Sequence, residues 1–325
     1  MSYCIIPLTL PTILSVLAVS TGLMACTAEV PAQKEQIVTQ AKEIVSNVAQ
    51  DEADKPVLSV ETIGENMYVI FGPGGNIGVS TGDDGIVIID DKFQRNAAEI
   101  LTTLNSLSDQ PLRYVLNTHY HGDHTGSNAE MKETGATVMA HENVRMRMGM
   151  TFENKVFGRI TKATSPKLWP TLTFSETATL YFNGQQVDII HVPRAHTDGD
   201  SIIKFKESNI IHMGDNYFNG LFPYIDVDGG GSINGMIAAH GAVLDMADAD
   251  TKIIPGHGPM ATKSDLEDTQ ALLISVRDRV QKGIDDGKSV DTLVKEAILE
   301  DYSEYAKFIN EENMIRIAYR SLSKG

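Results

Sequence analysis

The segment Thr118-His119-Tyr120-His121-Gly122-Asp123-His124-Thr125-Gly126 places three imidazoles and a carboxylate within six residues. Packing a core requires no such density of His, so the segment points to metal ligation. Side chains two apart on extended backbone point the same way, which lets His119 and His121 converge on one ion. Tyr120, between them, points away. Gly122 then lets the chain turn and present Asp123 and His124 to a second point nearby. Neutral imidazole and carboxylate suit a borderline ion such as Zn(II), with iron or manganese also compatible with an all-nitrogen-and-oxygen donor set. Thiolate ligation is excluded for the body of the chain, because the only two cysteines are Cys4 and Cys26.

This segment resembles the HxHxDH signature of the metallo-β-lactamase-fold superfamily, and further positions are similar to the rest of that pattern. His196, in Pro193-Arg194-Ala195-His196-Thr197-Asp198, resembles the third His of the first site. Asp215, in His212-Met213-Gly214-Asp215-Asn216, resembles the carboxylate that bridges both ions. His257, in Pro255-Gly256-His257-Gly258, resembles the last His of the second site. The four motifs keep the family's order and span about residues 58–263. The resemblance implies one ion on His119, His121 and His196, a second on Asp123, His124 and His257, and Asp215 between them. Two such ions share a hydroxide that is nucleophilic at neutral pH, and Asp123 would orient it. The expected chemistry is attack on a carbonyl.

Departures from individual family members narrow this. Cysteine-bearing true β-lactamases place a thiolate where this chain has Asp215. The ligand set looks more like glyoxalase II, lactonases and related dinuclear hydrolases, but the C-terminal basic residues of glyoxalase II have no match. The leading expectation is an exported zinc-dependent hydrolase of cyclic amides or esters, β-lactamase-like in the broad sense. The alternative enzyme is a lactonase or thioesterase with little β-lactamase activity. A metal-binding accessory protein without catalysis is the non-enzyme reading. β-Lactams carry a carboxylate that needs a clamp, and Arg194, Lys204 and Lys206 are the basic side chains weighed for that task.

The elements that must position these groups follow from periodicity. Short β-like runs at 58–63, 67–71, 77–80 and 86–89 are separated by Gly turns, and 96–107 has helical spacing. The apolar strand 114–116 runs straight into the histidine cluster, followed by a strand at 137–140 and a helix at 143–150. A second β-rich stretch covers 172–174, 178–182, 187–192, 201–205 and 210–213. A helix at 233–246, a strand at 252–254 and helices from about 263 complete the pattern. Two β-rich halves, each with helices, imply an α/β protein of α+β type: an αββα sandwich of two mixed sheets flanked by helices. The Gly72–Asn76 turn resembles the flap that overhangs the metals in this fold. The aromatics of 216–224, and Trp169, are candidate pocket walls. His191 and His212 read as packed or supporting residues, His141 as a helix cap or surface group, and His240 as partly exposed.

Composition sets the boundaries. Lys and Arg number 27 against 43 Asp and Glu, a net charge of -16 that argues against a nucleic-acid partner. A small-molecule substrate is expected instead. Residues 1–26 carry no charge and end in Leu23-Met24-Ala25-Cys26, which resembles a bacterial lipobox with Cys26 as the lipidated residue. No Lys or Arg precedes the apolar run, a departure from that pattern. The expected organisation is a signal peptide over 1–26, a tether over 27–56 and one catalytic domain over 57–325. That organisation implies a periplasmic lipoprotein touching the membrane only through its lipid anchor.

Overall fold

In the computed structural model, residues 58–323 are described, and they lie within one compact unit, Pro56–Gly325. The expected leader, tether and Cys26 fall outside the described residues. The first sheet starts with β1 (Ser59–Gly64), β2 (Met67–Phe71), β3 (Ile77–Gly82) and β4 (Gly85–Ile89), an antiparallel run. Helix α1 (Ala97–Leu107) then crosses back to β5 (Leu112–Leu116), which pairs parallel with β4. Two short helices, α2 (Gly122–Thr125) and α3 (Asn128–Glu133), lead to β6 (Thr137–His141), also parallel. After α4 (Glu142–Met148) comes a separate hairpin, β7 (Phe152–Asn154) with β8 (Arg159–Thr161). The parallel strand β9 (Leu172–Phe174) closes the sheet.

The second sheet runs β10 (Thr177–Phe182), β11 (Gln185–His191), β12 (Ser201–Phe205), β13 (Ile210–Phe218) and β14 (Lys252–His257). Its first four strands are antiparallel and its last pair parallel. Helices α5 (Ile233–Met246), α6 (Lys263–Asp285), α7 (Val290–Lys295) and α8 (Glu311–Ser323) follow the chain order given. The long α6 starts at a capping box in which Thr262 and Asp265 satisfy each other's backbone N–H groups.

Strand β4 shows why two layers form. All five of its residues are buried, so it needs apolar partners on both faces. Val87 and Ile89 pack toward the second sheet with Leu116, Ile203, Phe205 and Ile254. Ile86 and Ile88 point the other way, against Ile100 and Leu104 of α1. On the far side of the second sheet, Ile202, Ile211 and Ile253 meet Met236 of α5, Leu273 of α6 and Ile315 of α8. The result is the αββα sandwich of mixed sheets that the periodicity implied.

Three local readings are corrected. Strand β13 continues to Phe218, five residues past its expected end, through register shifts on either side of Gly214. The polar Asp215 and Asn216 had disguised it as a loop. The β7–β8 hairpin has no counterpart in the sequence reading, because its three-residue strands carry too little alternation to register. His240 is fully buried rather than partly exposed: α5 lies flat on the sheet, and the His240 ring donates to the Asn216 carbonyl at 2.7 Å.

Candidate metal centre

The centre lies where ends of strands from both sheets meet. Leu116 ends β5, and the next turn carries His119, His121, Asp123 and His124; His196 comes from the β11–β12 turn. Asp215 sits within β13 and His257 ends β14, and because those strands are parallel both deliver their groups to one edge. All seven predicted residues converge. Donor atoms of His119, His121, His196 and Asp215 lie within 4.8 Å of one another, as do those of Asp123, His124 and His257.

The first cluster has its nitrogens facing inward. His121 Nδ1 is 2.9 Å from His196 Nε2 and 3.1 Å from His119 Nε2. In the second, Asp123 Oδ2 is 3.3 Å from His257 Nε2 and 3.7 Å from His124 Nε2. Asp215 divides its oxygens between them. Oδ2 faces His119 and His196 at 3.7 and 3.5 Å, while Oδ1 faces His124 and His257 at 3.0 and 3.4 Å.

Outer contacts fix which ring nitrogen is free. His196 Nδ1 donates to the Tyr224 carbonyl at 2.7 Å, leaving Nε2 as a lone-pair donor. His121 is reversed: its Nε2 donates to Asp226 at 3.1 Å, and Nδ1 turns inward. Asp226 also accepts from the Tyr120 hydroxyl and, at 3.0 Å, from the Gly229 N–H. Tyr120 therefore points away from the centre, as alternation required, but supports it through Asp226. Burial opposes a charge on Asp226, yet the bonds from His121 and Tyr120 prevail and hold its carboxyl below the usual range.

A single carboxylate orients one ring in each cluster. Asp90 Oδ2 accepts from His124 Nδ1 at 2.7 Å and from the Thr118 hydroxyl at 2.8 Å. Its Oδ1 accepts from the Thr118 N–H at 2.7 Å. The Thr118 oxygen in turn accepts from His119 Nδ1 at 3.0 Å, so His119 presents Nε2 inward. This relay is the arrangement by which outer carboxylates fix a metal-ligating imidazole. Sequence reasoning missed Asp90 and Asp226. The only clue to the first was an Asp90-Asp91 pair closing an entirely apolar strand.

Two glycines are required by close approach. A Cβ on Gly75 would run into the His124 ring, and one on Gly256 would strike Asp215 Oδ1. The Gly72–Asn76 turn consequently lies against the centre rather than overhanging it freely. Asn76 Nδ2 donates to the carbonyls of Pro255 and Gly258 at 3.0 and 2.9 Å, and Gly75 N–H donates to the Asp123 carbonyl at 3.0 Å. Beneath the turn, the buried Lys92 ammonium donates to the Gly75 carbonyl at 2.6 Å. Burial pulls that lysine down to about 8.

The donor set fits a pair of cations. Three neutral imidazoles aim lone pairs at one point, which is repulsive unless a positive charge sits among them. Asp215 is buried, and what its Oδ1 faces is the pair of imidazole nitrogens of the second cluster. The local field also favours positive charge: burial opposes protonation of His257, but Asp215 and Asp123 outweigh it and raise that imidazole to about 9. Burial, aided by the neighbouring His121, prevails over the pull of Asp215 and lowers His196 to about 4, which leaves it free to ligate. The exposed edge consists of His121, Asp123 and His257, whose side chains are 19%, 25% and 19% accessible.

The remaining readings sort cleanly. His141 caps α4 by accepting from the Asn143 N–H, yet it is buried and stacks on His191 with centroids 3.7 Å apart, so it is no surface group. His212 is buried and donates to the Asn76 carbonyl at 3.1 Å. Tyr224 does wall the centre, stacking on His121 at 5.7 Å, and Phe218 stacks on His257 at 5.0 Å. Trp169 does not: it packs against Arg145 of α4 and donates to Thr164.

The model of the metallo-beta-lactamase superfamily matches residues 63–259. No curated protein matches the chain. Among solved structures, a metallo-beta-lactamase from Pontibacter korlensis is 18% identical, with a TM-score of 0.57 over 67% of this chain and 99% of that one. The DIM-1 metallo-beta-lactamase gives 16% identity and a TM-score of 0.55, over 67% of this chain and 98% of the other. The inverting sec-alkylsulfatase Pisa1 from Pseudomonas sp. is 16% identical with a TM-score of 0.61; the match covers 81% of this chain but only 50% of that protein. With the family model spanning more than half its length and the His/Asp cluster assembled at one edge of an αββα sandwich, the chain belongs to the metallo-β-lactamase superfamily.

Proposed function

We propose that the protein is a dinuclear zinc hydrolase that attacks a carbonyl, opening a cyclic amide or ester. The observation that carries this reading is Asp215, each of whose oxygens faces one ligand cluster. Two divalent ions supply Lewis acidity for a carbonyl oxygen and a water that is acidic near neutrality. The chain's own residues do the rest. Asp123, the most accessible of the seven, faces the open edge and orients the attacking water. Asp90 and Asp226 hold the imidazoles in the tautomers that ligation requires.

The basic side chains support a weak rather than a specialised β-lactamase. Lys204 donates to the Met246 carbonyl at 2.9 Å and Lys206 pairs with Asp188 at 3.2 Å, both on the flank of the second sheet. Arg194 lines a cavity of about 210 Å³ with Asp198, Val227 and Ser321, none of them a candidate ligand. A β-lactam carboxylate has no clamp among these three. A lactone that carries no carboxylate needs none, which favours the lactonase side of the lactonase or thioesterase reading as the second possibility.

Zinc-loaded protein tested against a cephalosporin, a homoserine lactone and a glutathione thioester separates the two. The expected β-lactam kcat/KM lies well below about 10⁶ M⁻¹s⁻¹, and all turnover stops with chelator and returns with Zn(II). Cleavage of none of the three would defeat the carbonyl-hydrolase reading.

A further inference from the structure

Phe308 is an exposed aromatic ring at the open edge of the metal centre, contributed by chain beyond the 63–259 family match. Its ring stacks on His257 with centroids 5.8 Å apart and on Phe218 at 5.9 Å, both at an interplanar angle of 19°. Phe218 is 1% exposed, the His257 side chain 19% and Phe308 58%, so accessibility rises outward through the three rings. Phe308 is therefore the solvent-side member of the stack.

The ring is held there by its own segment. The Tyr305 carbonyl accepts from the Phe222 N–H at 2.8 Å, and Ile309, the next residue after Phe308, is buried in the core. An aromatic side chain on such an anchored stretch has little freedom to fold inward. Leaving more than half of it in water forgoes apolar burial that a bound group could supply. On the opposite side of the open edge Tyr224 stacks on His121 and is itself packed by Phe157 from the β7–β8 hairpin, at 5.7 Å. Aromatic rings thus flank both outer ligands, with Asp123 between them.

We propose that Phe308 is the apolar wall of the substrate site and selects substrates with an aliphatic group beside the scissile carbonyl. The group would lie against the Phe308 face while the carbonyl meets the centre. This inference rests on the hydrolase reading for its reaction, but it can be tested by binding alone.

The probe is the series butanoate, hexanoate, octanoate, titrated calorimetrically into the zinc-loaded full-length protein. Full burial of each CH₂ is worth about 0.8 kcal/mol, close to fourfold, and a one-sided wall should deliver about twofold. The wild-type dissociation constant should therefore fall about 16-fold from butanoate to octanoate. In Phe308→Ala the gain should shrink to about fourfold or less with unchanged zinc content, and Phe308→Leu should restore most of it. A flat wild-type series, or an unaltered slope in Phe308→Ala, overturns the proposal. Chain-length dependence without cleavage of any carbonyl substrate would defeat the hydrolase reading and leave the apolar wall standing.

Discussion

Asp215→Ala should lower kcat/KM about 100- to 1,000-fold, the scale on which losing one electrostatic contact to a transition state is felt. The zinc-saturated variant should also fall from two ions per chain toward one. The reason is geometric: Oδ2 is 3.5 Å from His196 Nε2 and Oδ1 is 3.0 Å from His124 Nε2, so one side chain serves both clusters. Removing it leaves each cluster with three groups and removes the shared negative charge between two cations. Elemental analysis beside steady-state kinetics reads both effects. Full activity with two bound ions in the variant would show that the bridge is misassigned. His212→Ala is the instructive comparison. It leaves every ligand in place but deprives the Asn76 carbonyl and the Gly214 N–H of buried partners. Metal content should hold while Tm falls, each orphaned group costing about 1–3 kcal/mol.

The second large effect belongs to a residue that binds no metal. Asp90→Ala orphans His124 Nδ1–H and both donors of Thr118, all buried. Stability should drop by several kcal/mol, at about 1–3 kcal/mol for each donor. Metal affinity should fall roughly 10- to 100-fold, because neither His124 nor His119 is any longer held in the ligating tautomer. Asp90→Asn is the sharper test. Its amide must either face the Thr118 N–H, donor against donor, or face His124 Nδ1. The second choice moves the His124 proton to Nε2, the atom that should ligate. Competition against a chelator of known affinity, alongside thermal melts, separates the two losses. Wild-type zinc affinity in Asp90→Asn would remove Asp90 from the support of the centre.

The contrast between these two residues explains what the sequence could reveal. His119, His121, Asp123 and His124 were legible because their density in one short segment has no packing explanation. His196, Asp215 and His257 stood out only through a family pattern; by type alone, His191 and His212 were equal competitors. Asp90 and Asp226 look like any other Asp, and only the folded chain shows that each sits behind an imidazole. Phe308 was invisible for the opposite reason, since a lone Phe in a polar stretch reads as ordinary core. Most strands appeared because alternation betrays a buried face. Strand β13 lost its second half to Asp215, which faces inward for the sake of the centre, and to its neighbour Asn216, so the local rule failed beside a residue that carries function.

The seven groups are also dispersed over both halves of the sandwich, and this has a bearing on the order in which the protein forms. His124 and His257, whose nitrogens end 3.4 Å apart, are 133 residues apart along the chain. Contacts of such separation must pay loop closure before they gain anything. Neither half holds a complete set of donors, since the first lacks His196, Asp215 and His257 and the second lacks the rest. A cation therefore cannot act as the nucleus of folding; it can only capture a sandwich whose sheets have already docked. Interactions absent from the transition state act on the escape rate. Metal ions bound here would then work as a latch, slowing unfolding while leaving the folding rate to the apolar sheets.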